Sequence, residues 1–242
     1  MNIFDALMAG CQKFITSLPN RCLLCHQQLC SAATGICHTC LQSCLYTSPV
    51  CLGCGRELQT LQRYCGACLA LQPIPVIAPA SYHSLLGPLI PKIKYQAQFT
   101  ALPPLVLALE RRLAMLVAHN LTVLPQALLP VPLHPHRLRE RGFNQAWMIA
   151  SMLGQKLQLP VVDNLLRRVV ATVPQTGLDG RARRRNLRDA FMLTADLPYQ
   201  RIALVDDVVT TGTTVDEIAR TLAPWTPDLQ VWCLARAEAP GM

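Results

Sequence analysis

The segment Arg201-Ile-Ala-Leu-Val-Asp-Asp-Val-Val-Thr-Thr-Gly-Thr-Thr214 joins an apolar run to two carboxylates and then to a loop of hydroxyls. Ile202 to Val205 has the length and composition of a central parallel strand. Asp206 and Asp207 follow at its carboxyl end, the edge at which open α/β sheets bind their ligands. Thr210, Thr211, Gly212, Thr213 and Thr214 bring small side chains, hydroxyls and one residue free to take positive φ, so several backbone N–H groups can converge on one anion. Thr214 and Glu217 have capping-box spacing, which predicts a helix starting there whose amino terminus adds partial positive charge to the same place. The chemistry on offer is capture of a phosphorylated ligand; the bland alternative is an ordinary capped strand-turn-helix.

A second chemistry sits in the amino-terminal third. Cys22-x-x-Cys25 and Cys37-x-x-Cys40 make one double pair, and Cys51-x-x-Cys54 and Cys65-x-x-Cys68 make another. Two intervening residues let both thiolates of a pair reach one ion, and two such knuckles complete a tetrahedral zinc site. The front of the chain has no basic leader and Asp5 interrupts it early, so no secretory signal is expected and zinc is favoured over disulfides. A thioredoxin-like redox role is the lesser reading, because the βαβ context is missing here. Sequential and interleaved pairing of the knuckles both satisfy the spacing. Cys11, Cys30, Cys44 and Cys233 fall outside the pattern, and His26 and His38 read as bystanders beside sites already closed by four thiolates. About 50 residues with so few apolar side chains would hardly fold without metal, so the zinc is expected to be structural.

These groups need a scaffold, and the chain can supply one. It has 242 residues, 51% hydrophobic and 15% charged, enough for one sizeable core plus a small module. No run approaches the roughly twenty apolar residues of a membrane span, so a cytoplasmic protein is expected. Met1 to Leu18 has apolar residues near helical spacing, open to two readings: a helix packed on its own protein, or a surface touching a membrane or partner. The prolines of Leu71-Gln-Pro-Ile-Pro-Val76 mark a boundary, dividing the chain into residues 1–72 and 76–242. Beyond it, apolar runs alternate with helical patterns, as in a doubly wound α/β domain with a parallel sheet. Leu85 to Tyr95, Leu105 to Ala118 and Gln145 to Leu157 read as helices; Leu128 to Leu133, Ile202 to Val205 and Val231 to Leu234 read as strands. His134 to Phe143 then becomes a loop at the same carboxyl edge, offering Arg137, Arg139 and Arg141 to an anion; His134 and His136 could serve as acid/base groups, but Pro132 and Pro135 favour a role in shaping the loop.

The formal charge is +8, which two zinc sites of four thiolates, each about −2, would lower to roughly +4. Arg137, Arg139, Arg141, Arg167, Arg168, Arg181, Arg183, Arg184, Arg185 and Arg188 concentrate the basic charge in one third of the chain. That favours phosphate, and nucleic acid, over neutral ligands. Aromatic residues are only 5%, which argues against an extended base-stacking groove.

The strand, paired acids and Thr/Gly loop resemble the ribose-phosphate motif of type I phosphoribosyltransferases, which bind phosphoribosyl pyrophosphate (PRPP). Lys92-Ile-Lys-Tyr95, Pro130-Val-Pro-Leu-His-Pro-His-Arg-Leu-Arg-Glu-Arg-Gly-Phe-Asn-Gln145 and Thr172-Val-Pro-Gln175 with Arg181, Asn186 and Phe191 resemble segments of the ComF/GntX family, and with the cysteines they span nearly the whole chain. The resemblance implies a type I phosphoribosyltransferase-like sheet behind a zinc-ribbon-like module. It implies that Asp206 and Asp207 face ribose hydroxyls, that Thr210 to Thr214 hold the 5-phosphate, that Arg137, Arg139, Arg141 and Lys94 attend the same ligand, and that magnesium accompanies PRPP. Arg167 to Phe191 would form a flap. A role in uptake or use of external DNA is implied too, with single-stranded DNA and inner-membrane uptake proteins as partners. The alternative is a transferase for a small base or amine. Thr210 stands where purine-type relatives carry an acid, so purine salvage is disfavoured.

Overall fold

The computed structural model describes residues 20–30, 34–170, 189–225 and 228–238. At its centre β1 (Val76–Ile77), β2 (Ala127–Pro130), β5 (Arg201–Val209) and β6 (Asp228–Arg236) form a parallel sheet in the order β1-β6-β5-β2. Val161 extends the β2 edge by a single parallel bridge to Leu128. β3 (Leu166–Arg168) and β4 (Phe191–Leu193) pair antiparallel as a separate two-stranded unit.

The pleat explains how this sheet is buried on both faces. Ala203, Val205, Leu128, Trp232 and Leu234 enter one core. Their alternates Ile202, Leu204, Leu129, Val231 and Cys233 enter the other. The first core is covered by α4 (Leu102–Ala118) and α6 (Gln145–Leu157), whose apolar stripes supply Leu105, Leu109, Ile149 and Leu153. The second is covered by α7 (Thr213–Leu222) through Val215, Ile218 and Leu222 and by Phe191 of β4. Helices on both faces of a parallel sheet are the doubly wound arrangement.

The cysteine module carries α1 (His38–Cys44) and α2 (Gly66–Leu71), and its Leu29, Ile36, Leu52 and Leu58 join the first core. Tyr46 N–H donates to Pro79 O and Val76 N–H donates to Leu52 O, so the module's backbone is stitched to the sheet end. Met1 to Leu18 lies outside the described residues. No helix among the described residues is long and apolar enough to cross a membrane.

Several boundaries differ from the sequence expectation: β2 ends at Pro130 and not Leu133, β6 runs from Asp228 to Arg236, α4 begins at Leu102, and three further differences bear on the site. α3 spans Leu89–Gln96, because residues 82–88 form turns in which Gly87 N–H reaches Ser84 O. β5 runs on through the acids to Val209, held by parallel pairing with β6 as far as Arg236. His134 to Phe143 is not a plain loop: Pro135–Arg141 forms α5. Pro135 suits the first helical turn, the His134 ring nitrogen caps it by accepting from His136 N–H at 3.2 Å, and Gly142 ends it at φ +80°.

Candidate functional site

An open cleft of about 280 Å³ lies at the carboxyl end of β5. Lys94, Arg137, Arg141, Gln145, Arg168, Asp206, Asp207 and the Thr210 to Thr214 loop all line it. The topology explains this gathering, since β2 and β5 are parallel neighbours and the segments leaving them, α5 and the Thr/Gly loop, emerge on one edge. Arg139 is exposed and does not line the cleft, because it lies on the opposite side of α5 from Arg137 and Arg141.

The Thr/Gly loop turns at Gly212, whose φ of +74° a β-carbon would strain. Gly212 is the N-cap of α7 and offers no side chain, while Thr211 and Thr213 share a hydroxyl hydrogen bond of 2.8 Å. Thr213 to Val215 lead the helix, so their N–H groups begin the turn that faces the cleft. The expected capping box between Thr214 and Glu217 does not form. The N-cap lies two residues earlier, at Gly212, and the Glu217 carboxylate instead accepts from Asp189 N–H at 2.6 Å and pairs with Arg220.

The two carboxylates are not equivalent. Asp207, 2% exposed, follows Ala203 and Val205 toward α6, where one oxygen accepts from the Gln145 amide at 3.3 Å and the other pairs with Lys94 at 2.8 Å. Arg141 donates to Gln145 Oε1 at 2.7 Å and lies over the Tyr95 ring, which completes a chain from cleft wall to buried acid. Burial alone would push the Lys94 ammonium down, but the Asp207 and Asp206 carboxylates outweigh it and its pKa is raised. Asp206 is held by Asp207 N–H at 2.8 Å. Burial, and then the Asp207 charge beside it, push the Asp206 carboxyl well above the usual range, with Lys94 opposing.

That asymmetry has a pH consequence. A folded-state pKa above the unfolded value means that Asp206 contributes stability when protonated, present below the ordinary carboxylate range and lost as pH rises through the raised value. A hydroxyl or cation reaching Asp206 favours its ionised form, so ligand binding should release up to about one proton and tighten as pH rises through that value. Calorimetry in buffers of different ionisation enthalpy checks this. Asp206→Asn should abolish the proton release while raising Tm at neutral pH.

Next to the cleft, across Pro132, Leu133 and His134, opens a larger apolar cavity of about 1060 Å³. Phe143, Trp147, Met148, Leu166 and Met192 line it, with Arg167 and Arg168 among its walls. Thr172, Gln175, Arg181, Arg183, Arg184, Arg185, Asn186 and Arg188 lie outside the described residues.

The cysteines gather as two sets, Cys22, Cys25, Cys37 and Cys40, and Cys51, Cys54, Cys65 and Cys68, each with its sulfurs within 4.8 Å of one another. This selects sequential over interleaved pairing. Cys25 and Cys37 sulfurs are 3.8 Å apart and Cys54 and Cys65 sulfurs 3.7 Å apart, close to the edge of about 3.8 Å of a tetrahedron with Zn–S bonds of about 2.3 Å. Backbone N–H groups of Cys37 and Cys65 point at the Cys22 and Cys51 sulfurs at 3.3 and 3.2 Å. Burial raises the Cys22 thiol, but backbone N–H donors outweigh it and bring it down to about 6. The Cys68 N–H leads the causes that bring Cys65 down to about 7, so each set has a thiol that ionises readily for a metal. The residues therefore fit zinc. His26 and His38 belong to neither set.

Tyr82 is a cleft residue the sequence reading missed, since nothing local ties it to residues 201–214. Arg236 was missed as well, although an arginine ending the buried run Val231 to Ala235 was the available signal.

Residues 16–69 match the family model of the double zinc ribbon domain. The chain is 38% identical to competence protein F of Haemophilus influenzae over 232 residues, covering 90% of this chain and 97% of that one. It is 34% identical to the DNA utilization protein YhgH of Escherichia coli and of Salmonella typhimurium over 228 residues, 91% of this chain and 98% of theirs. Likeness along almost the full length of each, with both cysteine sets and the parallel sheet in place, makes this chain a member of the ComF/GntX family of competence and DNA-utilisation proteins.

Proposed function

We propose that this protein binds PRPP with magnesium in the cleft at the end of β5 and acts in the uptake or use of external DNA. In this reading residues 1–72 form the zinc-bearing part, residues 76–242 bind the nucleotide precursor, and the protein works in the cytoplasm. The observation that carries it is the convergence on one cleft of a helix-terminal Thr/Gly loop, two carboxylates and the cations Lys94, Arg137 and Arg141. Such a cleft suits a ligand with a monophosphate at one end, hydroxyls in the middle and a pyrophosphate at the other. The loop would take the monophosphate, Asp206 the hydroxyls, and Arg137 and Arg141 the pyrophosphate. Magnesium, when bound, would neutralise pyrophosphate charge with few protein ligands. The test is competition: PRPP should bind more tightly than ribose 5-phosphate or pyrophosphate, and equal affinity for all three would remove the reading.

The DNA role rests on the family, and the basic surface supports direct contact. Arg167 is exposed in the wall of the apolar cavity next to the cleft, and Arg139 is exposed on the far side of α5. Single-stranded DNA should bind with little sequence preference and weaken with salt, and removing either arginine should reduce the log–log salt slope by about 0.7. Salt-independent binding, or none, would place the link to DNA in a partner of the uptake machinery. A second reading, transfer of the ribosyl group to a small base or amine, is favoured by the apolar cavity adjoining the cleft. Pyrophosphate release in the presence of an acceptor panel tests it.

A further inference from the structure

Arg236 ends β6, only 6% exposed, and among the described residues no carboxylate forms an ion pair with it. A buried guanidinium without a counter-charge is costly. What surrounds it is the Cys51–Cys54 knuckle of the second cysteine set, with β1 beside it: one terminal nitrogen donates to Leu52 O at 3.1 Å and to Cys51 O and Val76 O at 3.4 Å, and the other donates to Gly53 O at 2.6 Å. Gly55, at φ +83°, closes over the side chain, and a β-carbon there would stand 3.1 Å from Arg236 Nε. Zinc held by Cys51, Cys54, Cys65 and Cys68 carries about −2. The knuckle thus supplies three of the four carbonyls, β1 supplies the fourth, and zinc held by the set would supply the missing negative charge.

The backbone of the same residue reaches the ligand cleft. Arg236 O accepts from Tyr82 N–H at 2.7 Å, and Tyr82 lines the cleft. Ala237 N–H donates to Val209 O at 2.8 Å, immediately before the loop that starts at Thr210. Arg236 also pairs in register with Val209, while its N–H donates to Ala80 O at 3.1 Å. One residue therefore joins a side chain on the knuckle to a backbone bond with the cleft residue Tyr82, and the residue after it bonds the strand end that leads into the Thr/Gly loop.

We propose that Arg236 is a positioning residue through which the second tetrathiolate zinc site fixes Tyr82 and the entry to the phosphate loop, so that zinc at that site and ligand in the cleft stabilise one another. Coupling of this kind is reciprocal: whatever factor zinc adds to ligand affinity, ligand adds to zinc affinity. Among the described residues the first cysteine set has no such strut to the cleft, and it should not share the effect.

The test uses the zinc-loaded full chain and Arg236→Gln, which keeps an amide donor but removes the charge and the fork. Amide exchange at Tyr82 and Ala237 should quicken about tenfold in the variant, and one of the two zinc ions should leave to a chelator correspondingly faster. In the wild type, magnesium-PRPP should slow release of that ion about tenfold and leave the other unchanged; in Arg236→Gln the protection should vanish. Arg236→Lys, which keeps the charge alone, should fall between and serves if the glutamine variant fails to fold. Unchanged exchange at both amides with both ions released at wild-type rates would overturn the proposal, as would equal protection by PRPP in the variant. The PRPP arm rests on the proposed function, whereas the exchange arm does not. If PRPP fails to bind the wild type, the ligand reading falls and amide exchange still decides the strut.

Discussion

Stripping zinc from the protein should unfold the amino-terminal module and release close to two ions per chain, the largest change any single treatment produces. Structural zinc contributes on the order of 10–16 kcal/mol in small finger peptides, and here the ribbon has few apolar residues of its own beyond Leu29, Ile36, Leu52, Leu58 and Tyr64. Because those residues share a core with Leu105, Leu109 and Trp232, loss of the ribbon should also loosen one face of the sheet. Cys51→Ser should leave one zinc and lower Tm sharply, whereas Cys30→Ser, at an exposed thiol outside both sets, should keep two zinc ions and the wild-type Tm. Elemental analysis beside thermal melting reads both. Equal zinc content and Tm in the two variants would contradict a structural role.

The second large effect is at Asp207. Asp207→Ala leaves Lys94 without its 2.8 Å partner and Gln145 without an acceptor, at a cost of about 3 kcal/mol, the low end for a broken buried pair because Lys94 keeps some solvent contact. The urea midpoint should fall accordingly, and ligand affinity with it. Lys94→Met combined with Asp207→Ala should recover part of the stability and none of the binding, since the charge mismatch is gone while the cleft has still lost its acid and cation. A double variant no more stable than Asp207→Ala would show that the two groups do not act as a pair.

What the sequence made legible follows from where its signals are local. Cys-x-x-Cys spacing fixes which atoms can share an ion, and both metal sets stand as sequential quartets. The helix over Gln145–Leu157 was readable to the residue because Asn144 caps it, its side chain accepting from Ala146 N–H. Asp206 to Val209 was hidden as strand because acids break the apolar run, while pairing with β6, a tertiary interaction, extends it. α5 was concealed by two prolines that read as loop residues, although one of them sits where a helix tolerates it. Arg139 looked equivalent to Arg137 and Arg141 until helical geometry turned it outward. Arg236 and Tyr82 lie far from each other and from the knuckle in sequence, so only the fold brings them together.

Binding of PRPP in the cleft through Asp206, Arg137 and Arg141 is read by calorimetric titration of magnesium-PRPP into the zinc-loaded chain. One site per chain is expected, weakened about tenfold or more in Asp206→Asn and in Arg141→Ala, which lose an anionic acceptor and a charged donor worth about 1–3 kcal/mol each. Arg139→Ala should bind as the wild type does. No heat of binding in the wild type, or affinity unchanged in Asp206→Asn and Arg141→Ala, would contradict it.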